Sequence, residues 1–178
     1  AFSSPFVQTV TRPRLLRSLT LGFALLAAIA HPGPLPGDPA EPPMDQVVAH
    51  AFRRAVAQYD FMLYQLRSRS GLPRTFVRDG LVLTERDWTV GFFPGALWYL
   101  FEATGDPRWR EAAEHYTALV IPLQHMRHSH DVGFMLYCSV GNALRLTQNP
   151  DYQAPLLNGA NALASRFNPK VGATRSWN

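Results

Sequence analysis

Two apolar segments constrain the fold of this chain more than any other feature of its sequence. Residues 91–103 and 132–146 are apolar almost all round when they are placed on a helix. A helix without a polar face has to be buried on most sides. Each of these segments is followed by an amphipathic one, at about 107–125 and about 150–167, which keeps a polar back. The sequence therefore predicts inner and outer helices that alternate along the chain.

The alternation is also a repeat in the letters of the sequence. T-G-D-P-R-W at 104–109 is echoed 43 residues later by T-Q-N-P-D-Y at 147–152, and G-F-F at 91–93 is echoed 42 residues later by G-F-M at 133–135. Helical hairpins with such a period form either an open solenoid or a closed α/α toroid. The inner helices are apolar along their length, with polar groups at their N-terminal ends. This pattern favours an all-α, closed toroid.

The first 43 residues are predicted to lie outside this domain. A basic stretch precedes an apolar run at 19–30, which ends in A-I-A, the small-x-small form that signal peptidase cleaves. We interpret residues 1–30 as a signal peptide with upstream residues, which predicts a periplasmic or secreted protein. The run is shorter than the ~20 residues of a membrane span, so a membrane anchor is the weaker alternative. Residues 31–43 are a Pro-rich linker, and residues 44–178 form the domain.

Charge and cysteine content narrow the possible functions. The net charge of +4 comes from scattered arginines, so we expect no binding to nucleic acid. The single cysteine, Cys138, lies in the second apolar segment, where packing is its expected role. Neither Cys138 nor Ser139 lies beside an obvious base, so neither is predicted to be a nucleophile.

The boundaries of the remaining elements follow from caps and breakers. An amphipathic helix is predicted from Met44, and the S-G-L-P sequence at 70–73 ends it. We interpret residues 74–87 as a loop with a turn at Asp79-Gly80, although its flanks are also compatible with short strands. Gly105 is expected to close the first inner helix, and D-P at 106–107 to open the next one.

Polar side chains precede both inner helices. Asp87 and Trp88 come before the first, and His130 and Asp131 come before the second. If inner helices run parallel around a ring, these clusters gather at one end, where helix N-termini favour an anionic substrate. A carboxylate held against an apolar helix must be hydrogen-bonded or paired, so Asp131 is a candidate site residue. The alternative is that Asp131 caps the helix that follows.

Other side chains extend this candidate site. Trp88 and Trp177 offer flat faces of the kind that sugars stack on, although core packing is an equally ordinary role for tryptophan. Arg175 is suited to hold a carboxylate or sulfate group.

The histidines before the second inner helix raise the alternative of a metal site. The histidines His125, His128 and His130 with Asp131 form H-x-x-H-x-H-D, and these ligand types suit zinc. Because their spacing matches no standard zinc signature, we predict no metal and no cofactor.

Three motifs, in this order along the chain, resemble the unsaturated glucuronyl hydrolases, family 88 of the glycoside hydrolases. They are D-W-T-V-G-F-F-P-G-A-L-W-Y-L-F-E-A-T-G-D at 87–106, H-D-V-G-F-M-L-Y at 130–137, and R-F-N-P-K-V-G-A-T-R-S-W at 166–177. The resemblance runs from about Ala49 to the last residue. It implies a toroid of six helical hairpins, (α/α)6, of which about five helices are present. It also implies activity on unsaturated uronic-acid oligosaccharides released by polysaccharide lyases.

The reaction implied by this resemblance needs no metal. A carboxylic acid protonates the C4=C5 double bond of the terminal unsaturated uronic acid, water adds at C5, and the hemiketal opens and expels the neighbouring sugar. The resemblance makes Asp131 one of two essential aspartates, the one that contacts the substrate and supports the site. It matches His130, Trp88 and Trp177 to substrate-contacting positions.

The resemblance also predicts that the second essential aspartate of the family is absent from this chain. The principal acid/base of the family is a second aspartate on a later helix, whereas the only acidic residue after Asp131 here is Asp151, which matches nothing catalytic. We therefore expect an N-terminal part of a longer enzyme, inactive or nearly so alone, whose partner is the missing C-terminal half of the same domain. The alternative function is a non-catalytic carbohydrate-binding or helical-repeat scaffold protein.

Overall fold

The described residues, 41–176 of the computed structural model, form five helices and two small β-hairpins. The predicted signal peptide, most of the predicted linker and Trp177 lie outside the described residues. The π-helical turn Tyr137–Gly141 joins the short segments Val132–Leu136 and Asn142–Thr147 into one continuous helix, so the six α labels below describe five helices. The elements are α1 Met44–Leu66, β1 Leu72–Val77, β2 Gly80–Thr84, α2 Phe92–Thr104, α3 Pro107–Val120, α4 Val132–Leu136, α5 Asn142–Thr147, α6 Gln153–Ala164, β3 Phe167–Asn168 and β4 Ala173–Thr174.

The predicted signals between the first inner and outer helices are confirmed. Gly105 follows α2 with a positive φ of 68° and donates its backbone N–H to the carbonyl of Phe101. Asp106 then caps α3, because its side chain accepts a hydrogen bond from the backbone N–H of Arg108 at 3.0 Å. Pro107, which has no N–H to leave unpaired, occupies the first turn of α3.

The outer helix α3 is shorter than predicted. It ends at Val120, and the chain continues as the 3-10 turn Ile121–His125. The reason is Pro122, which lacks the backbone donor that a regular helix needs and whose ring crowds the preceding turn. The second outer helix is also shorter, since α6 ends at Ala164.

The interpretation of residues 74–87 as a loop is wrong over most of its length. Strands β1 and β2 pair antiparallel, and the pair Val77 and Gly80 closes a two-residue turn. Gly80 has a φ of 116°, a conformation that side-chain-bearing residues rarely adopt. The apolar and β-branched residues on each side of this turn are typical of a hairpin. The first residue of β1, Leu72, is buried and anchors the hairpin to the core.

The core lies between the inner helix α2 and the helices on either side of it. Trp98 of α2 is fully buried and donates its indole N–H to Thr117 of α3 at 3.0 Å. Met135, Leu136 and Val140 cover the other side. The inner helices are not buried all round, however. Their aromatic side chains Phe92, Tyr99, Phe134 and Tyr137 are exposed in the described part of the chain, so the expected closed ring is not seen within residues 41–176.

No helix among residues 41–176 combines the length and the apolar character that a membrane crossing requires.

Two glycines allow the inner helices to approach each other closely: Gly91, which ends the 3-10 turn before α2, and Gly95 within α2. A Cβ atom added to Gly95 would lie 2.6 Å from the carbonyl oxygen of Cys138, and one added to Gly91 would collide with the carbonyls of Phe134 and Met135. Real Cβ atoms do not come this close to backbone atoms, so the contact depends on glycine at both positions.

We predict that Gly95→Ala lowers the free energy of unfolding by about 1–3 kcal/mol, the usual cost of overpacking. Gly133→Ala in α4 is the matched control, because a Cβ there meets nothing within 4 Å and alanine favours helix by about 0.5–1 kcal/mol. Urea denaturation of both variants measures the difference. Equal stability of Gly95→Ala and the unaltered chain would show that the helices are not in backbone contact.

Candidate active site

Asp131 lies at the start of α4, but its side chain does not cap that helix. Its backbone is already helical, with φ −70° and ψ −6°, and the carboxylate makes no capping hydrogen bond. Instead, Oδ2 accepts a hydrogen bond from the Ser129 hydroxyl at 2.7 Å, and the same hydroxyl oxygen accepts the Asp131 backbone N–H at 3.1 Å. The capping alternative is therefore wrong. The carboxylate is held in place by the turn before the helix, with 14% of the side chain exposed.

His130 links Asp131 to the segment that follows β4. Its ring Nε2 lies 3.3 Å from Asp131 Oδ1. Its Nδ1 lies 3.1 Å from both the carbonyl oxygen and the hydroxyl oxygen of Ser176, and its backbone N–H donates to the same carbonyl at 3.2 Å. The imidazole thus bridges the start of an inner helix and a segment 46 residues later in the chain.

Arg166 holds that segment in place, and it is the structural residue of the site that sequence reasoning missed. Only 8% of Arg166 is exposed. Its guanidinium donates to the carbonyls of Arg175 and Ser176 at 2.9 Å each, and also to the carbonyl of Arg127. The available signal was an arginine just after the end of α6, but the carbonyls that it binds at Arg127, Arg175 and Ser176 lie on segments that only the fold brings together.

Arg175 and His130 line the same cavity of about 550 Å³, which is bounded by α6 and by the segment after β4. Arg175 also lines a second cavity, of about 630 Å³, together with Arg127 and Arg166. The structure therefore places Arg175 and His130 along the same cavity.

Trp88 belongs to an aromatic cluster at the start of α2. Its ring contacts Phe92 and Phe134 edge-on, with centroid distances of 5.6 and 6.4 Å. Trp88 is 48% exposed, so it is not an ordinary core residue. Phe134 lies one turn after Asp131 in α4, which brings the cluster to the same end of the inner helices as the carboxylate.

Asp87, next to Trp88, forms its own network. Its Oδ1 accepts from the backbone N–H and the hydroxyl of Thr89 at 3.1 and 2.7 Å, and its Oδ2 accepts from Arg74 Nε at 2.8 Å. Burial raises the pKa of Asp87, but the bonds from Thr89 and the charge of Arg74 outweigh it, so the pKa lies below its ordinary value of 3.8. Asp87 therefore anchors the turn that carries Trp88.

The histidine cluster does not assemble into a metal site in the structure. Within residues 41–176, no group of three or more His, Cys, Asp or Glu side chains is placed to hold a metal ion.

Comparisons with known proteins relate the chain to one group of hydrolases, although no protein-family model matches it. The unsaturated glucuronyl hydrolase of Formosa agariphila is 40% identical over 95 residues, which cover 52% of this chain and 23% of that protein. The unsaturated chondroitin disaccharide hydrolase of Streptococcus pyogenes serotype M1 is 26% identical over 112 residues, which cover 59% of this chain and 27% of that protein. The crystal structure of an unsaturated glucuronyl hydrolase specific for heparin has a TM-score of 0.63 at 42% identity, covering 71% of this chain and 36% of the solved one.

The resemblance seen in the three motifs is thus confirmed, and it is partial. The chain spans about a quarter of the length of these curated relatives and about a third of the solved structure. The predicted helical fold class is confirmed as well, because the chain is mostly helical and shares its fold with an unsaturated glucuronyl hydrolase.

The Asp87 network predicts a pH dependence of stability. A carboxylate whose pKa is lowered by folding stabilises the native state above its unfolded pKa, and this contribution is lost as the pH falls through the lower folded pKa. We expect the stability difference between the unaltered chain and Asp87→Asn to shrink as the pH falls from about 5 to about 3. Urea unfolding at several pH values measures it.

Arg74→Gln serves as the companion variant, because it removes the guanidinium while leaving the bonds from Thr89. It should show a smaller pH-dependent loss than the unaltered chain. A pH-independent difference between the unaltered chain and Asp87→Asn would contradict the proposed network.

Proposed function

We propose that this chain supplies one side of the active site of a glycoside hydrolase, one that removes a terminal Δ4,5-unsaturated uronic acid from lyase-generated oligosaccharides. The observation that carries the proposal is the Asp131 carboxylate. It is not used to cap α4, it is largely buried, and it is held by Ser129 beside the ring of His130. The similarity to hydrolases named for unsaturated substrates supports the same reaction.

In the proposed reaction, a proton is added to C4 of the double bond and the hydroxyl of a water molecule is added to C5. The hemiketal formed at C5 then opens and releases the neighbouring sugar. Asp131 contacts the substrate and supports the site in this scheme. The proton donor is a second aspartate, which is not found between Asp131 and Asn178, where Asp151 is the only acidic residue.

The surroundings of Asp131 suit a substrate of this class. The exposed ring of Trp88 offers a face on which a sugar can stack, and Arg175 carries a positive charge into the cavity that it shares with His130. A uronic acid can use both residues, because it has a sugar ring to stack on Trp88 and a carboxylate to bind Arg175. Trp177 is proposed to contact the substrate as well, with no metal or cofactor taking part. The apolar run at 19–30, interpreted as part of a signal peptide, supports a proposed location in the periplasm or outside the cell.

The first prediction concerns the 178 residues alone. We expect the purified chain not to degrade an unsaturated chondroitin or heparin disaccharide, because the second aspartate and the rest of the site have to come from a C-terminal half. Loss of the ultraviolet absorbance of the C4=C5 double bond measures turnover. Turnover by the purified chain would show that residues 1–178 contain a complete active site.

The second prediction uses a longer product, read from the gene past the codon for Asn178. We expect Asp131→Asn in that product to lower kcat/KM about a hundredfold or more, the usual scale for the loss of one preorganised polar group that acts on the reacting substrate. Asp151→Asn is the matched control and should leave kcat/KM unchanged. Binding of the disaccharide without turnover by the unaltered longer product would favour a carbohydrate-binding scaffold instead.

A further inference from the structure

The Ser176 carbonyl lies among more donors than it can accept well. Arg166 Nη2 donates to it at 2.9 Å and the His130 backbone N–H donates at 3.2 Å, while His130 Nδ1 lies 3.1 Å away. A carbonyl oxygen has two lone pairs. The guanidinium and the backbone N–H use both of them, so a proton on Nδ1 would have to compete for an oxygen that is already occupied.

The Ser176 hydroxyl provides the opposite partner for the same ring nitrogen. Its oxygen lies 3.1 Å from Nδ1, and a hydroxyl can donate to an unprotonated imidazole nitrogen. The tautomer of a neutral histidine follows the hydrogen bond made by each nitrogen. With Nδ1 accepting from Ser176, the proton lies on Nε2, which faces Asp131 Oδ1 at 3.3 Å.

We propose that Arg166 is a positioning residue that fixes neutral His130 as the Nε2–H tautomer, by occupying the Ser176 carbonyl and leaving the Ser176 hydroxyl to bind Nδ1. This assignment of the tautomer is argued from the distances around Ser176 and does not depend on the proposed function. Its meaning for catalysis rests on the proposed function, because the Nε2–H then points its positive end at the carboxylate proposed to contact the substrate.

Arginine suits this role for a physical reason. Its planar guanidinium carries five N–H donors in a fixed fork and stays charged. Here the donors reach carbonyls of Arg127, Arg175 and Ser176, on two chain segments that flank the site. A lysine ammonium is compact and cannot span these acceptors in the same way. Arg166→Lys therefore keeps the charge but loses the geometry.

The test is nuclear magnetic resonance of the ¹⁵N-labelled 178-residue chain, in which long-range ¹H–¹⁵N spectra show which ring nitrogen of His130 is protonated. We expect the Nε2–H tautomer in the unaltered chain whenever the imidazole of His130 is neutral. In Arg166→Lys the ratio of the Nε2–H to the Nδ1–H tautomer should fall about fivefold, as expected for the loss of one hydrogen bond. Arg145→Lys is the matched control, since Arg145 also makes several side-chain hydrogen bonds, to Glu102 and Asn142, and should leave the ratio unchanged.

Ser176→Ala tests the same proposal at an exposed position, and it decides the question if Arg166→Lys does not fold. The variant removes the hydroxyl donor and should shift the ratio in the same direction. An Nδ1–H tautomer in the unaltered chain would overturn the proposal, as would an unchanged ratio in a folded Arg166→Lys or in Ser176→Ala. Because the readout needs no substrate and no turnover, its failure is distinct from a failure of the proposed hydrolase function.

Discussion

The close approach of the two inner helices is the contact on which the rest of the structure depends. Gly91 and Gly95 let the start of α2 lie against the carbonyls of Phe134, Met135 and Cys138. This contact sets how far along their axes the two helices overlap. It thereby brings Trp88, which precedes the first glycine, to Phe134 and to the end of α4 where Asp131 lies. The candidate site is a consequence of how two apolar helices fit together.

The hydrogen bonds of Arg166 position the part of the site that helix packing does not. Helix packing places Asp131, but the position of His130 and Arg175 depends on the chain after α6, and the buried guanidinium of Arg166 holds that chain to the turn before α4. Two ion pairs between helices, Arg108 with Asp60 and Arg145 with Glu102, are about half exposed and contribute little to stability. The buried guanidinium of Arg166, by contrast, binds the backbone carbonyls of Arg127, Arg175 and Ser176 and so joins separate segments of the chain.

Sequence reasoning predicted the helices well and their surroundings less well. The period of apolar residues and the caps at Gly105 and Asp106 are local signals, and they proved correct. The hairpin after α1 was interpreted as a loop, because short strands carry weak signals until they pair. The inner helices were expected to be apolar because they are buried all round, yet Tyr137 is 75% exposed in the described structure. An apolar helix face indicates that its burial is favourable. It does not indicate which part of the protein, or which partner, covers that face.

The sequence by itself determined the alternation of helices, their caps and the presence of a carboxylate and an imidazole at the start of an inner helix. These features depend on residues within a few positions of one another. Only the tertiary structure decided that His130 reaches Ser176, 46 residues later, and that Arg166 binds carbonyls on both sides of the site. The reason is physical. A hydrogen bond between side chain and backbone is specified by positions in space, and Arg166 and its acceptor at Arg127 are 39 residues apart in the chain.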